Sequence, residues 1–212
     1  MASACVALDF PVVSGNVSLY NETDGSGVLP TPAIGGVGVL DDARACVGLA
    51  LQPGLALVLV GETQGWLGQS LWLREVAGRE DGPPPPVDLH AERRNGDLVR
   101  GLIGAGVVRA CHDLSDGGLL VAVAEMALGG DVGATLDVDG DHGFWFGEDQ
   151  ARYMLAVADA GPVLAAAAEA GVPAQRVGTA GGDGLTLPGG IAISLEQVRA
   201  AHQRFFPAWM EG

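Results

Sequence analysis

Lysine is missing from this 212-residue chain: all 11 basic residues are arginine, against 26 acidic ones, for a formal net charge of −15. A P-loop needs its lysine and a Schiff-base enzyme needs an amine, so both are excluded. A surface this acidic repels phosphate backbones, so nucleic acid is not an expected partner. Any phosphorylated ligand must have its charge met by backbone N–H groups, helix N-termini, metal ions or another chain. Cysteine is scarce too. Cys5, Cys46 and Cys111 form no Cys-x-x-Cys pair, which argues for a reducing compartment and against a disulfide or zinc scaffold. No apolar run reaches the length of a membrane span, and the longest, near residues 55–60, suits a buried strand. The first ten residues lack the basic start and cleavage signature of a secretory signal, so a cytoplasmic location without membrane association is expected.

What is present suits a folded protein of one or two domains. Hydrophobic residues make up 48% of the chain, ample for a core. Glycine, at 34 residues, is about twice its usual share and punctuates apolar segments, as turns and close packing require. Residues 3–9 read as the tail of a helix whose start is missing, which suggests a piece of something longer. Strands are expected at 17–20, 37–40, 55–60, 107–111, 134–138, 153–158, 176–179 and 185–187. Helices are expected at 65–77, 87–104, 114–128, 163–170 and 195–206, with a stiff extended connector at Pro83 to Pro86 and extended backbone at 29–32. The closeness of the last two strands implies antiparallel pairing. The class is α/β or α+β, with a mixed, largely antiparallel sheet flanked by helices.

Residues 11–23, PVVSGNVSLYNET, place a glycine and small polar side chains inside a strand-like pattern. A glycine there suggests close approach of a ligand to the backbone. Asn16 and Ser18, at i and i+2, share one face of an extended chain. A bulge between two ordinary strands accounts for the same pattern. In CHDLSDGGL (111–119), Ser115 or Asp116 could cap a helix whose N-terminus and glycine amides offer an anion site; a well-capped helix with close packing explains it equally. Cys111, His112 and Asp113 alternate faces of a strand and cannot form one relay. Asp137, Asp139, Asp141 and Glu148 match calcium-loop positions, but His142 replaces the turn glycine, so an acidic hairpin turn is expected. In FGEDQARY (146–153), Glu148, Asp149 and Gln150 could open a short helix. The four histidines show no metal-ligand spacing.

Taken together and in order, PVVSGNVSLYNET, PTPAIGGVG, GETQGWLGQS, CHDLSDGGL and FGEDQARY resemble the C-terminal part of the large synthetase subunit in the phosphoribosylformylglycinamidine synthase family. That family belongs to the aminoimidazole ribonucleotide synthetase-like superfamily. The resemblance implies that residues 1–50 form the last part of an ATP-binding A-type domain and 51–212 a B-type domain. It implies an ATP-dependent C–N ligase of purine biosynthesis. ATP activates the amide oxygen of formylglycinamide ribonucleotide and ammonia then displaces phosphate. The implied partners are the N-terminal remainder of the synthetase subunit, a glutaminase subunit that supplies the ammonia and a small bridging subunit; the implied cofactors are ATP and Mg²⁺. By resemblance Gly15 lies against ATP, Asn16 binds Mg²⁺ and Ser18 contacts substrate. Glu148, Asp149 and Gln150 resemble the tandem counterpart of a substrate-binding segment and, with Asp113 and Asp116, are candidate second-site contacts. The family's catalytic histidine, phosphate-contacting lysine and most metal-binding carboxylates lie in a half that has no match here, so the isolated chain is expected to be inactive. A scaffold or docking domain, or a sister kinase or synthetase of the superfamily, are the alternatives.

Overall fold

The computed structural model describes residues 1–18, 20–29 and 31–211. It separates into two units, Met1–Cys46 and Val47–Gly212. The first has little regular structure: helix α1 (Ala2–Ala7), a two-residue hairpin of β1 (Glu22–Thr23) and β2 (Ser26–Gly27), and a 3-10 turn at Ala43–Ala45. The hairpin turn has Asp24 and Gly25 both at positive φ, the requirement of a tight two-residue reversal. Asp42 caps the 3-10 turn by accepting the Arg44 N–H at 2.9 Å.

The strands expected at 17–20 and 37–40 are not formed among the described residues; Leu19, within the first, and Pro30, within the extended 29–32 stretch, lie outside them. The sequence carries strand propensity there, yet a strand exists only with a neighbour to pair its N–H and C=O groups. The valines are accordingly bare: Val13, Val37 and Val39 are 93%, 97% and 93% exposed.

The second unit is a seven-stranded sheet with helices on both faces. Its strands are β3 (Ala56–Val60), β4 (Val108–Asp113), β5 (Ala134–Leu136), β6 (Tyr153–Val157), β7 (Ala174–Ala180), β8 (Gly184–Leu187) and β9 (Ile191–Ser194). They lie in the order β4-β6-β3-β7-β5-β8-β9, antiparallel throughout except for the parallel pair β5–β8. The last two expected strands, now β7 and β8, are therefore not partners, because β5 is inserted between them. Strand β9 was not legible as a strand in the sequence. The helices are α2 (Leu71–Glu75), α3 (Leu89–Gly104), α4 (Gly118–Gly130), α5 (His142–Phe146), α6 (Ala160–Glu169) and α7 (Leu195–Glu211).

Both sheet faces are buried, which explains the unbroken apolar runs of β3 and β6. Leu57, Leu59, Met154 and Ala156 join Leu119, Val123 and Met126 of α4 in one core. Their alternating neighbours Val58, Val60, Leu155 and Val157 join Val99 and Leu102 of α3 and Val163 of α6 in the other. Each fully buried Val, Leu or Met among them contributes about 1.5–3 kcal/mol. This three-layer arrangement fixes the end of the sheet from which the loops 61–71, 114–118 and 147–152 emerge.

Those loops hold most of the local departures. The helix expected over 65–77 shrinks to five residues because Gly65 and Gln69 adopt positive φ ahead of the Ser70 cap. Neither Ser115 nor Asp116 caps α4; Gly117, at φ 78°, occupies that place. The acidic 137–148 stretch is not a hairpin: Asp141 caps α5, and the helix precedes Glu148 instead of starting there.

Candidate functional site

In the first unit Gly15, Asn16 and Ser18 lie on an exposed segment without regular secondary structure. A Cβ built at Gly15 meets nothing within 4 Å, so the chain's own packing does not demand glycine there. Ser18 Oγ donates to the Tyr20 carbonyl at 3.3 Å, and Asn21 Nδ2 donates to the Ser18 carbonyl at 2.9 Å. Asn16 is exposed.

The second unit gathers its polar chemistry around the loop 147–152. Glu148 Oε1 accepts two backbone N–H groups, from Leu71 at the start of α2 and from Gly117 at the start of α4, each at 2.8 Å. Asp149, 7% exposed, accepts from Gly65 N at 3.0 Å and Trp66 N at 3.2 Å. The two carboxylates thereby clasp three loops together, each satisfying amide donors that otherwise lack partners. Gln150 is exposed, with Nε2 3.4 Å from the Glu148 carbonyl. Asp113 ends β4 and is exposed; its carboxylate stands 3.3 Å from His112 Nδ1. Asp116 is exposed in the turn before α4. The structure thus brings Glu148, Asp149 and Gln150 onto one loop and leaves the side chains of Asp113 and Asp116 outside the clasp. Among the described residues no three or more His, Cys, Asp or Glu side chains are placed to hold a metal ion.

Beneath the clasp lies Arg152, 1% exposed, a residue the sequence reading did not single out. Its Nε donates to the Asp149 carbonyl at 3.1 Å, Nη1 to Thr63 Oγ1 at 3.2 Å and Nη2 to the Gly147 carbonyl. Nη1 is also 3.9 Å from Asp149 Oδ2. Burial pulls its pKa below the usual arginine value, opposed by the nearby Asp149 and Glu148 carboxylates. The available signal was a lone cation directly ahead of the apolar strand β6. A second layer was missed as well. Glu92 accepts from Ala151 N at 3.0 Å, and burial raises its pKa. Asn95, 2% exposed, donates to the Ala151 carbonyl at 2.9 Å. It interrupts the stripe Ala91-Asn95-Val99-Leu102 on the buried face of α3, a pattern that marks a polar residue with a specific duty.

The sequence matches the model of the family described as AIR synthase related protein, C-terminal domain, over residues 52–187. It is 64% identical over 210 residues to phosphoribosylformylglycinamidine synthase subunit PurL of Granulibacter bethesdensis, an alignment covering 99% of this chain and 29% of that protein. The subunit PurL of Rhodospirillum rubrum is 58% identical, across 100% of this chain and 30% of its own length. The chain therefore spans about 30% of the curated relatives it matches. Among solved structures, Thermotoga maritima PurL complexed with FGAR superposes with a TM-score of 0.63 at 18% identity, over 74% of this chain and 30% of the other. Escherichia coli HypE, a hydrogenase maturation protein, gives a TM-score of 0.51 at 20% identity, over 70% and 51%. At these identities the two structures show a shared fold alone.

Proposed function

Since residues 52–187 place this chain in the AIR synthase related C-terminal domain family, we propose that it forms the C-terminal portion of a phosphoribosylformylglycinamidine synthase synthetase subunit. The observation that carries this reading is 64% identity extending over 99% of the chain, including the first unit that lies outside the family domain. The reaction is ATP-dependent: formylglycinamide ribonucleotide, ammonia drawn from glutamine and ATP give the formylglycinamidine ribonucleotide, ADP and phosphate. Phosphorylation of the amide oxygen turns a poor leaving group into phosphate, and ammonia attacks the activated carbon.

In this reading the first unit supplies one wall of the site. The Gly15 backbone lies against the nucleotide, and the open space at its Cα is compatible with that approach. Asn16 offers one amide oxygen, a suitable hard-cation ligand, and Ser18 a hydroxyl to the substrate. Bound Mg²⁺ would neutralise phosphate charge; one protein oxygen is a partial donor set, so further ligands come from phosphate, water and other polypeptide. The exposed valines of residues 12–39 are the surface against which the rest of the synthetase subunit packs. The glutaminase and small bridging subunits, and a cytoplasmic setting, belong to the same proposal. Both Asp149 oxygens and Glu148 Oε1 act structurally within it, because backbone amides already occupy them.

The test is reconstitution. A complete synthetase carrying this C-terminal portion, supplied with ammonia, is expected to form the amidine, and the isolated chain is not. Asn16→Ala is expected to reduce turnover at least about a hundredfold with a raised Mg²⁺ requirement, as loss of a metal-positioning ligand does. Unchanged turnover in that variant would remove Asn16 from the metal site. Failure of the intact synthetase to form the amidine would overturn the ligase reading itself.

A further inference from the structure

His112 lies at the end of β4 with both ring nitrogens turned to acceptors. Nδ1 is 2.7 Å from the Asp113 carbonyl oxygen and 3.3 Å from Asp113 Oδ1. Nε2 is 3.0 Å from Glu125 Oε2, on α4. The side chain is 17% exposed, so water has little access to replace either contact. A carbonyl oxygen and an ionised carboxylate only accept, so each contact needs a proton on the nitrogen that faces it. The imidazolium has two N–H groups and meets both. A neutral ring has one, and must leave the other nitrogen's lone pair against an acceptor.

The two bonds are not equally easy to give up. The Asp113 carbonyl is backbone at the end of a strand laddered to β6, and it has nowhere to turn. The Glu125 side chain is 46% exposed and has water within reach. Glu125 is also the one charged residue of Gly118–Gly130, so its bond to His112 is the polar tie between the edge strand and this apolar helix. The other charged groups around the ring come from α7: Arg199 and His202 line the same cleft as His112 and Glu125, and Arg199 stands 2.7 Å from Asp131. The β6 residue opposite His112 is Met154, and residues 47–51, which reach β4 through the Gly48 carbonyl, carry no charge.

We propose that His112 and Glu125 form a proton-operated latch between β4 and α4. It is closed when the ring carries both protons. When the ring loses one, the proton that stays is on Nδ1, the Nε2 bond is lost, and the Glu125 carboxylate turns into the cleft beside α7. Because the bond belongs to the protonated ring, its contribution to stability is present on the acid side, while Glu125 is ionised, and is lost as pH rises through the titration of the ring. The segment after β4 leads directly to Gly117, whose N–H Glu148 holds, so the latch sits at the root of the carboxylate clasp. The proposal is independent of the ligase reading, since it uses none of Gly15, Asn16 or Ser18.

The ring nitrogens are followed in the isotopically labelled full chain by long-range proton–nitrogen correlation, with His112 assigned through its backbone. At pH 5.5 both nitrogens are expected to be protonated. At pH 8.5 the Nδ1–H tautomer is expected, opposite to the Nε2–H form that a free histidine side chain favours. The Nε2–H tautomer at pH 8.5 would keep the Glu125 bond and overturn the proposal, as would a ring that does not change between the two pH values. Urea unfolding of the parent, His112→Phe, Glu125→Ala and the double variant measures the coupling between the two side chains. It is expected to be about three- to tenfold in the unfolding equilibrium at pH 5.5, between the values for an exposed pair and a buried charged hydrogen bond, and to vanish at pH 8.5. Coupling of equal size at both pH values, or none at pH 5.5, would also overturn the proposal.

Discussion

Arg152→Ala is expected to cost about 3–5 kcal/mol, the range for breaking a buried charged contact by deleting one partner. The side chain makes three hydrogen bonds, to the Asp149 and Gly147 carbonyls and to Thr63 Oγ1. At about 1.5–3 kcal/mol for each bond from a charged donor, the gross contribution is about 4.5–9 kcal/mol. Against this stands the desolvation of a guanidinium that is 1% exposed, the same effect that lowers its pKa. The difference remains a large share of the ~5–15 kcal/mol that stabilises a typical domain. Its loss would also free the 147–152 backbone, on which Glu148 and Asp149 depend to reach Leu71, Gly117, Gly65 and Trp66.

Urea unfolding followed by tryptophan fluorescence measures the effect. With a slope of about 2 kcal/mol/M, the midpoint is expected to fall by about 1.5–2.5 M. Arg152→Lys keeps the charge but loses the planar fork that serves three acceptors, and about half the loss is expected. A midpoint shift below about 0.5 M for Arg152→Ala would show that the loop holds its shape without the arginine. Equal losses for Lys and Ala would assign the whole effect to the geometry of the fork.

Three further outcomes are expected. Gly118→Ala should destabilise by about 1–3 kcal/mol in the same assay, because φ is +68° and the new Cβ would sit 2.5 Å from the Gly147 carbonyl oxygen; a neutral result would mean that the α4 start can move off that loop. Burial raises the Glu92 pKa, so the folded state holds its proton more tightly than the unfolded chain, and the associated stability is present at low pH and lost as pH rises through the folded value. Glu92→Gln retains an acceptor for the Ala151 N–H and should gain on the parent as pH rises above about 4, whereas a loss that grows with pH would refute this. Burial pushes the Cys111 thiol up to about 11 from 9.0, so its thiolate is about a hundredfold scarcer at pH 8. Iodoacetamide should therefore modify the exposed Cys46 well before Cys111, and comparable rates would contradict the burial argument.

The second unit was legible because its signals are local and redundant. The period-free apolar runs at 55–60 and 153–158 are strands buried on both faces, and the spacing of Leu98, Leu102 and Ile103 is that of a helix laid on one of them. Strand order was not legible: pairing β5 beside both β7 and β8 joins segments some forty to fifty residues apart, which no local pattern encodes. In the first unit the same kind of pattern misled. Valines at 12, 13, 17, 37 and 39 have strand propensity, but ladder partners are a tertiary fact, and none occurs among the described residues for those segments. The clasp lay between these cases. Its acidic residues were visible as a group, but nothing local indicates that a carboxylate's partners are amides at 65, 66, 71 and 117.

That distinction alters what the 148–150 segment can do. A carboxylate serves as a base or a cation ligand only with free lone pairs in reach of the ligand. Asp149 uses one oxygen for each of two amides, and Glu148 uses a single oxygen for two. Withdrawing either to serve a ligand would strand buried N–H groups at the start of α2, the start of α4 or the Gly65 turn, at about 1–3 kcal/mol for each. Gln150, exposed and holding among the described residues only a 3.4 Å contact to the Glu148 carbonyl, carries no such obligation. Both Asp149 oxygens and Glu148 Oε1 are therefore committed to holding this loop. The acidic pair thus fixes the shape of the 147–152 loop against the starts of α2 and α4 and the Gly65 turn.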